Sequence, residues 1–200
     1  MSEQYFSQSP QSKSDPKIWT FPLRGMQYTF TSDAGVFSKK EVDFGSRTLI
    51  ESFEEPKVNG EILDLGCGYG PIGITLAKTF PERHIVLSDI NERAVSLAKK
   101  NAQKNSVENV EFIISDRLES FRERTFAAIL VNPPIRAGKQ IIYQMFEESF
   151  QALEPNGELW VVIQKKQGAP SAQKKLEELF STVNIETKNK GYYIIRAKKE

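Results

Sequence analysis

From Glu61 onward, short apolar runs alternate with stretches of helical periodicity, and this rhythm constrains the fold more than any other feature of the chain. EILDL (61–65), HIVLSD (84–89), NVEFIIS (109–115), FAAILV (126–131) and ELWVVIQ (158–164) read as strands. The intervening ITLAKTF (74–80), ERAVSLAKKNAQKN (92–105), QIIYQMFEESFQAL (140–153) and SAQKKLEELF (171–180) read as helices. In the second of these, Ala94, Val95, Ala98 and Ala102 fall on one side, and Pro155-Asn156-Gly157 stops the third. TVNIETK (182–188) and GYYIIRAK (191–198) are separated only by Asn189-Lys190, which permits an antiparallel hairpin and no crossover. The pattern predicts an α/β fold: a doubly wound, mostly parallel seven-stranded sheet with a C-terminal antiparallel hairpin and helices on both faces.

The first 60 residues are less regular. Residues 1–17 are rich in Ser, Gln and Pro and read as a flexible arm, in which Tyr5 and Phe6 are the residues able to dock on a surface. Residues 18–60 form a lead-in segment, with a strand at QYTFTS (27–32) and a helix around Ser46–Phe53. One domain, 18–200, with its core in 61–200, accounts for the rest, and 200 residues suit a single fold of this kind. A lone cysteine, Cys67, and a lone histidine, His84, exclude a disulfide and a Cys/His zinc site, so no metal is expected. No apolar run approaches the ~20 residues of a spanning helix and the N-terminus carries no signal-peptide core, which points to a cytoplasmic protein without a membrane partner. The balance of 27 basic and 26 acidic residues neither requires nor excludes nucleic acid.

The first strand runs into Asp64-Leu65-Gly66-Cys67-Gly68-Tyr69-Gly70-Pro71-Ile72-Gly73, a strand-to-helix turn whose glycines let a ligand approach the backbone. Gly68, Gly70 and Gly73 satisfy the dinucleotide pattern, which is weak evidence alone. Charge bears on the choice of ligand. A carboxylate at Asp64 would repel a pyrophosphate and would suit the cationic methionine half of S-adenosyl-L-methionine. Asp89, ending the second strand, is placed to bond ribose hydroxyls of either cofactor. Asp116, after the third strand, reads either as an acceptor for an adenine amino group or as an ordinary turn carboxylate. Cys67 reads as a small packing residue of the turn.

Asn132-Pro133-Pro134 closes the fourth strand, across the crevice from the glycine turn. The prolines fix the chain, so the Asn132 side chain and the Pro133 carbonyl form a pair of preset acceptors for the two hydrogens of a planar amino group. Such an amine is a poor nucleophile, and alignment is the main help a protein can offer it. Ile135, the next residue, has no ring to stack on the acceptor, a task that could pass to Phe37. Arg136, Lys139, Lys39, Lys40, Arg47, Lys165 and Lys166 form a candidate basic rim for phosphates, while Lys174, Lys175, Lys198, Lys199 and His84 read as solvated or structural.

DLGCGYGPIGITLA and LSDIN resemble the first two motifs of class I, Rossmann-like S-adenosylmethionine-dependent methyltransferases, and Asn-Pro-Pro resembles the acceptor motif of the amino methyltransferases. With GVFSKKEVDFGS and NPPIRAGK, the chain resembles, over most of residues 20–198, the single-domain branch of the ribosomal small-subunit RNA guanine-N2 methyltransferase family. The resemblance implies S-adenosyl-L-methionine as cofactor and a small-subunit ribosomal RNA guanine, or the small ribosomal subunit itself, as partner. It implies that Gly66, Gly68 and Gly70 contact the methionine moiety, Asp89 the ribose and Asp116 the adenine edge, with Asp64, Cys67, Ile90, Arg117 and Asn132 also among the cofactor-binding residues. Phe37, Ser38, Asp43 and Gly45 would border the pocket. Asn132, Pro133 and Pro134 would act in catalysis, with Ile135, Arg136, Lys139, Lys39 and Lys40 toward substrate. The competing readings are a protein glutamine-amide or small-molecule N-methyltransferase, a non-catalytic RNA-binding protein on the same fold, and a nicotinamide oxidoreductase.

Overall fold

The computed structural model describes residues 13–34, 36 and 41–200. Tyr5, Phe6, Phe37, Ser38, Lys39 and Lys40 therefore lie outside the described residues. The chain opens with an antiparallel hairpin of β1 (Lys17–Leu23) and β2 (Met26–Ser32), turning on Arg24 and Gly25 with φ of 48° and 73°. Two positive-φ residues make the turn whose twist matches that of the flanking strands. Strand β1 was not predicted, because Ile18 and Pro22 put apolar side chains on its outward face and mask the alternation of Trp19, Phe21 and Leu23. The end of the expected flexible arm is also tied down: the Ser14 hydroxyl and the Asp15 amide donate to the Asp33 carboxylate at 2.7 and 2.6 Å.

Helix α1 (Phe44–Ser52) starts two residues before the predicted Ser46, because Asp43 caps it through a 3.0 Å bond from the Ser46 amide. Then follow β3 (Glu61–Leu65), α2 (Pro71–Thr79), β4 (Ile85–Asp89), α3 (Glu92–Lys104), β5 (Val110–Ile114), β6 (Phe126–Val131), α4 (Lys139–Ala152), β7 (Leu153–Gln164), α5 (Ala169–Leu179), β8 (Thr182–Asn189) and β9 (Tyr192–Lys198). The sheet has seven strands in the order β5-β4-β3-β6-β7-β9-β8, with β9 antiparallel to both neighbours. Strand β7 begins five residues before the predicted Glu158. Pro155-Asn156-Gly157, expected as the stop between helix and strand, lies within the strand as an irregularity, with Asn156 at φ 63° and its amide bonded to the Lys199 carbonyl.

Period-two alternation in the strands builds a core on each face. Ile62, Leu87, Leu130 and Trp160 pack under α1, α2, α3 and the hairpin, whereas Leu63, Ile129, Val131 and Leu159 pack under α4 and α5. With both faces covered, FAAILV of β6 is buried at every position. No helix among the described residues is long and apolar enough to cross a membrane.

The hairpin is locked to the body of the domain by two asparagines, Asn101 on α3 and Asn105, which caps that helix. Asn101 accepts from the Thr31 amide at 2.7 Å and donates to the Thr31 carbonyl at 2.9 Å and the Tyr69 carbonyl at 2.8 Å. One turn later, Asn105 repeats the grip on Thr29. These amides stand in for a neighbouring strand along the free edge of β2. Asn101→Leu removes its bonds to three buried backbone groups and is expected to cost about 3 kcal/mol. Urea unfolding would show this against a near-neutral Lys99→Ala on the exposed side of the same helix.

Candidate functional site

All the parallel strands end at one edge of the sheet, and the register brings the key ends together. Leu65 lies between Ser88 and Val131, and Asp89 lies beside Ile114. Since β3 is followed by β4 on one side and flanked by β6 on the other, the crevice opens where the winding direction reverses, which is where open α/β sheets bind ligands.

The glycine turn leaves β3 with the Gly66 and Cys67 amides both donating to the Ser88 carbonyl at 2.8 Å. Gly66, Gly68 and Gly70 have φ of 77°, 57° and 96°, the left-handed region that favours glycine. Their surroundings separate them. A Cβ on Gly66 or Gly68 would meet nothing within 4 Å, so these two line an open cradle. A Cβ on Gly70 would lie 2.8 Å from Ile74, and on Gly73 it would lie 2.5 Å from Leu87. The latter pair are glycines because α2 packs tightly here.

Asp64 is buried beneath this cradle. One oxygen accepts from the Gly73 amide at 2.8 Å, and the other, Oδ1, has no partner. Burial raises its carboxyl to about 7, against the pull of the Gly73 bond and with a contribution from Asp89. An orphaned acidic oxygen beside an open glycine cradle fits a cationic ligand group. Asp89 is half-buried and holds the Gly68 and Asn91 amides at 2.9 Å each, so it shapes the turn as well as facing the crevice. Burial also raises its pKa, opposed by those amide bonds. Ile90 is partly exposed beside it. Asp116 is partly exposed and ion-paired through one oxygen with Arg117 at 2.6 Å, and Arg117 is anchored in turn on Glu148 at 3.2 Å. The buried Cys67 thiol is pushed up by burial and by the two nearby aspartates, which leaves it protonated and unreactive.

Asn132 follows β6 at the same edge. Its side-chain nitrogen donates to Ser46 Oγ at 3.0 Å and to Asp43 Oδ1 at 3.3 Å, partners 86 and 89 residues away in sequence. A carboxylate only accepts, so the amide must present its NH2 group to Asp43, leaving the Asn132 carbonyl oxygen available to the crevice. Gly45 belongs to the same assembly: a Cβ there would lie 2.9 Å from the Tyr192 ring and 3.2 Å from Asp43 Oδ1. Pro134 commits its carbonyl to the Ala137 amide at 2.8 Å, whereas Pro133 accepts no turn or loop amide among the described residues. Ile135 begins a one-turn 3-10 helix, Ile135–Ala137, and packs half-buried against the α4 and α5 core.

Arg136, Lys139, Lys165 and Lys166 are exposed at this edge, and none has a carboxylate partner among the described residues. Arg47 does not join them. Its guanidinium lies between the rings of Phe21 and Phe44 at 5.3 and 5.2 Å, where it ties α1 to the hairpin. His84 sits at the opposite end of the sheet near Glu61 and Glu111, a trio close enough to share a cation. Arg124 already binds both carboxylates there, at 2.5 to 2.7 Å. The residue missed by sequence reasoning is Ser46. Its spacing from Asp43 signals a helix cap, but nothing local signals its bond to Asn132.

Residues 27–196 match the family model described as the methyltransferase small domain. Along the full length of both chains, 59% of residues are identical to the uncharacterized protein YbxB of Bacillus subtilis. Ribosomal RNA large subunit methyltransferase G of Colwellia psychrerythraea is 30% identical over 87% of this chain, which spans only 47% of that protein. Among solved structures, the T. thermophilus 16S rRNA N2 G1207 methyltransferase RsmC, in complex with AdoMet and guanosine, superimposes with a TM-score of 0.81 at 24% identity. The match covers 94% of this chain and 52% of that one. The chain thus spans about half the length of these two ribosomal RNA methyltransferases.

The raised carboxyl of Asp64 has a consequence for stability. Between about pH 4 and 7 the folded protein keeps a proton that the unfolded chain has released, so Asp64 makes stability fall as pH rises through that window. Asp89 adds a contribution of the same sign. Asp64→Asn keeps an acceptor for the Gly73 amide and removes the titration. Its urea midpoint is expected to drop less between pH 5 and 8 than that of the unaltered protein, and parallel pH profiles would contradict the assignment.

Proposed function

The chain belongs to the methyltransferase small domain family of S-adenosyl-L-methionine-dependent enzymes, and from that premise we propose that it methylates the exocyclic N2 amino group of a guanine in ribosomal RNA, with small-subunit RNA the first candidate. The observation that carries the reading is the Asn132 amide, pinned by its nitrogen to Asp43 and Ser46 with its oxygen left for an acceptor.

S-adenosyl-L-methionine, when bound, supplies an electrophilic methyl group. Asp64 and the Gly66–Gly68 cradle would hold its methionine end. Asp89 would take ribose hydroxyls on its remaining lone pairs, and Asp116 the adenine edge. Asn132 Oδ1 and the Pro133 carbonyl would each accept one hydrogen of the guanine amino group and so turn its lone pair toward the donor. Because that lone pair is delocalised into the ring, fixed orientation by preset dipoles is the largest contribution these residues can make. The nitrogen becomes acidic on methylation and releases its proton to water, so no strong base is required.

Arg136, Lys139, Lys165 and Lys166 suit a phosphate backbone around the crevice. The amino group of a paired guanine is hidden in the helix, so the target must be unpaired or flipped out. A large-subunit target is the second reading, favoured by the sequence relatives that carry that name.

Ribosomal RNA and both subunits from a strain lacking the protein, incubated with methyl-labelled cofactor and digested to nucleosides, test the proposal. Label is expected in N2-methylguanosine, and the subunit that carries it decides between the two targets. Asn132→Ala should lower the rate about 100- to 1,000-fold with cofactor binding retained. No label in either RNA, from protein that binds the cofactor, would overturn the reading. Lys139→Ala is expected to flatten the slope of log affinity for single-stranded RNA against log salt by about 0.7.

A further inference from the structure

Beside the acceptor loop lies a second concavity that the methyl transfer itself does not use. It opens between the start of α4 and the start of α5, has a volume of about 110 Å³, and shares Ile135 with the Asn-Pro-Pro turn. Ile135, Ile142 and Ile163 form apolar walls, Tyr143 adds an aromatic one, and Lys139 and Gln167 stand at its edge. Tyr143 is fixed by a 3.0 Å bond from its hydroxyl to the Ser171 carbonyl, with Lys139 Nζ 5.1 Å from its ring centre. Gln167 is exposed, its side chain makes no hydrogen bond among the described residues, and it shares a 3-10 turn with Lys165 and Lys166, which have no carboxylate partner there.

We propose that this cavity holds the RNA base next to the methylated guanine. The inference rests on the RNA reading above and extends it to a specificity site. Its chemistry is layered: the interior is apolar and aromatic, and the cations sit at the mouth. A phosphate inside would lose its hydration against isoleucines, whereas a neutral planar base would lose little and its phosphates would meet Lys139, Lys165 and Lys166 outside. Continuity supplies the order of occupants. Ile135 directly follows the Asn132-Pro133-Pro134 turn and lines the cavity, so the cavity adjoins the turn that would grip the guanine and suits the neighbouring nucleotide. The Gln167 amide can both donate to and accept from a base edge, which allows the site to prefer some bases over others.

A fluorescein-labelled heptaribonucleotide of uridines with one central guanosine tests this by anisotropy, alongside two versions lacking the base on one or the other side of the guanosine. The unaltered protein is expected to bind one of the two abasic versions about 10-fold more weakly than the intact RNA. Ser171→Phe, which fills the cavity, should bind all three alike. Gln167→Ala, on an exposed side chain that the fold does not need, should shrink the difference, with melting temperature and cofactor affinity unchanged. Equal binding of the three RNAs by the unaltered protein, as expected if a protein side chain docks there instead, would overturn the proposal. So would a difference that survives both substitutions. Failure to bind even the intact RNA would count against the RNA reading itself.

Discussion

A buried carboxylate organises the functional edge. Asp64 spends one oxygen on the Gly73 amide, which pins the first turn of α2 against β3. That contact is close enough that a Cβ at Gly73 would sit 3.0 Å from the same oxygen, and it forces the chain between the two residues to bulge outward through left-handed glycines. The bulge is the cradle at Gly66 and Gly68. Asp89 then clips Gly68 from the neighbouring strand. The remaining oxygen of Asp64 is left without a partner in a place that disfavours its charge. Folding thus leaves an electrostatic need that a cationic ligand would meet.

The surroundings of Asn132 are assembled differently, by contacts across long sequence distances. Helix α1, which precedes the sheet in the chain, brings Asp43 and Ser46 against Asn132 at the end of β6. Asp43 serves both as the cap that starts the helix and as an acceptor that decides which way the Asn132 amide points. The hairpin before α1 is bound by Asn101 to α3 and to the Tyr69 carbonyl of the glycine turn. The glycine cradle and the Asn132 amide therefore belong to one connected frame, and disturbing the lead-in residues would be felt at both.

Much of this frame was legible in the sequence because it is driven by local periodicity. The strands FAAILV and EILDL keep their predicted limits, and the fold class follows from the strand and helix rhythm. What escaped was set by tertiary context. Strand β1 carries outward apolar residues, since Ile18 is 67% exposed, so its alternation is hidden. Strand β7 continues through a proline-glycine tripeptide because Lys199 pairs with it. The sequence places the glycines, Asp64, Asp89 and Asn132 at strand ends, and the structure brings those ends to one edge of the sheet. The division of the glycines into cradle and packing residues, the inward pull on Arg47, and the link from Ser46 to Asn132 depend on neighbours dozens of residues away.

Helix α1 and its cap Asp43 preset the orientation of Asn132. The most direct test is the single-turnover methylation rate of an Asp43→Ala, Ser46→Ala double variant on the RNA that the unaltered protein labels, at saturating cofactor and with the cofactor dissociation constant measured alongside. A rate lowered about 10-fold or more at saturating cofactor is expected, because the amide is then free to turn its NH2 toward the acceptor. An unchanged rate in a folded variant would contradict it.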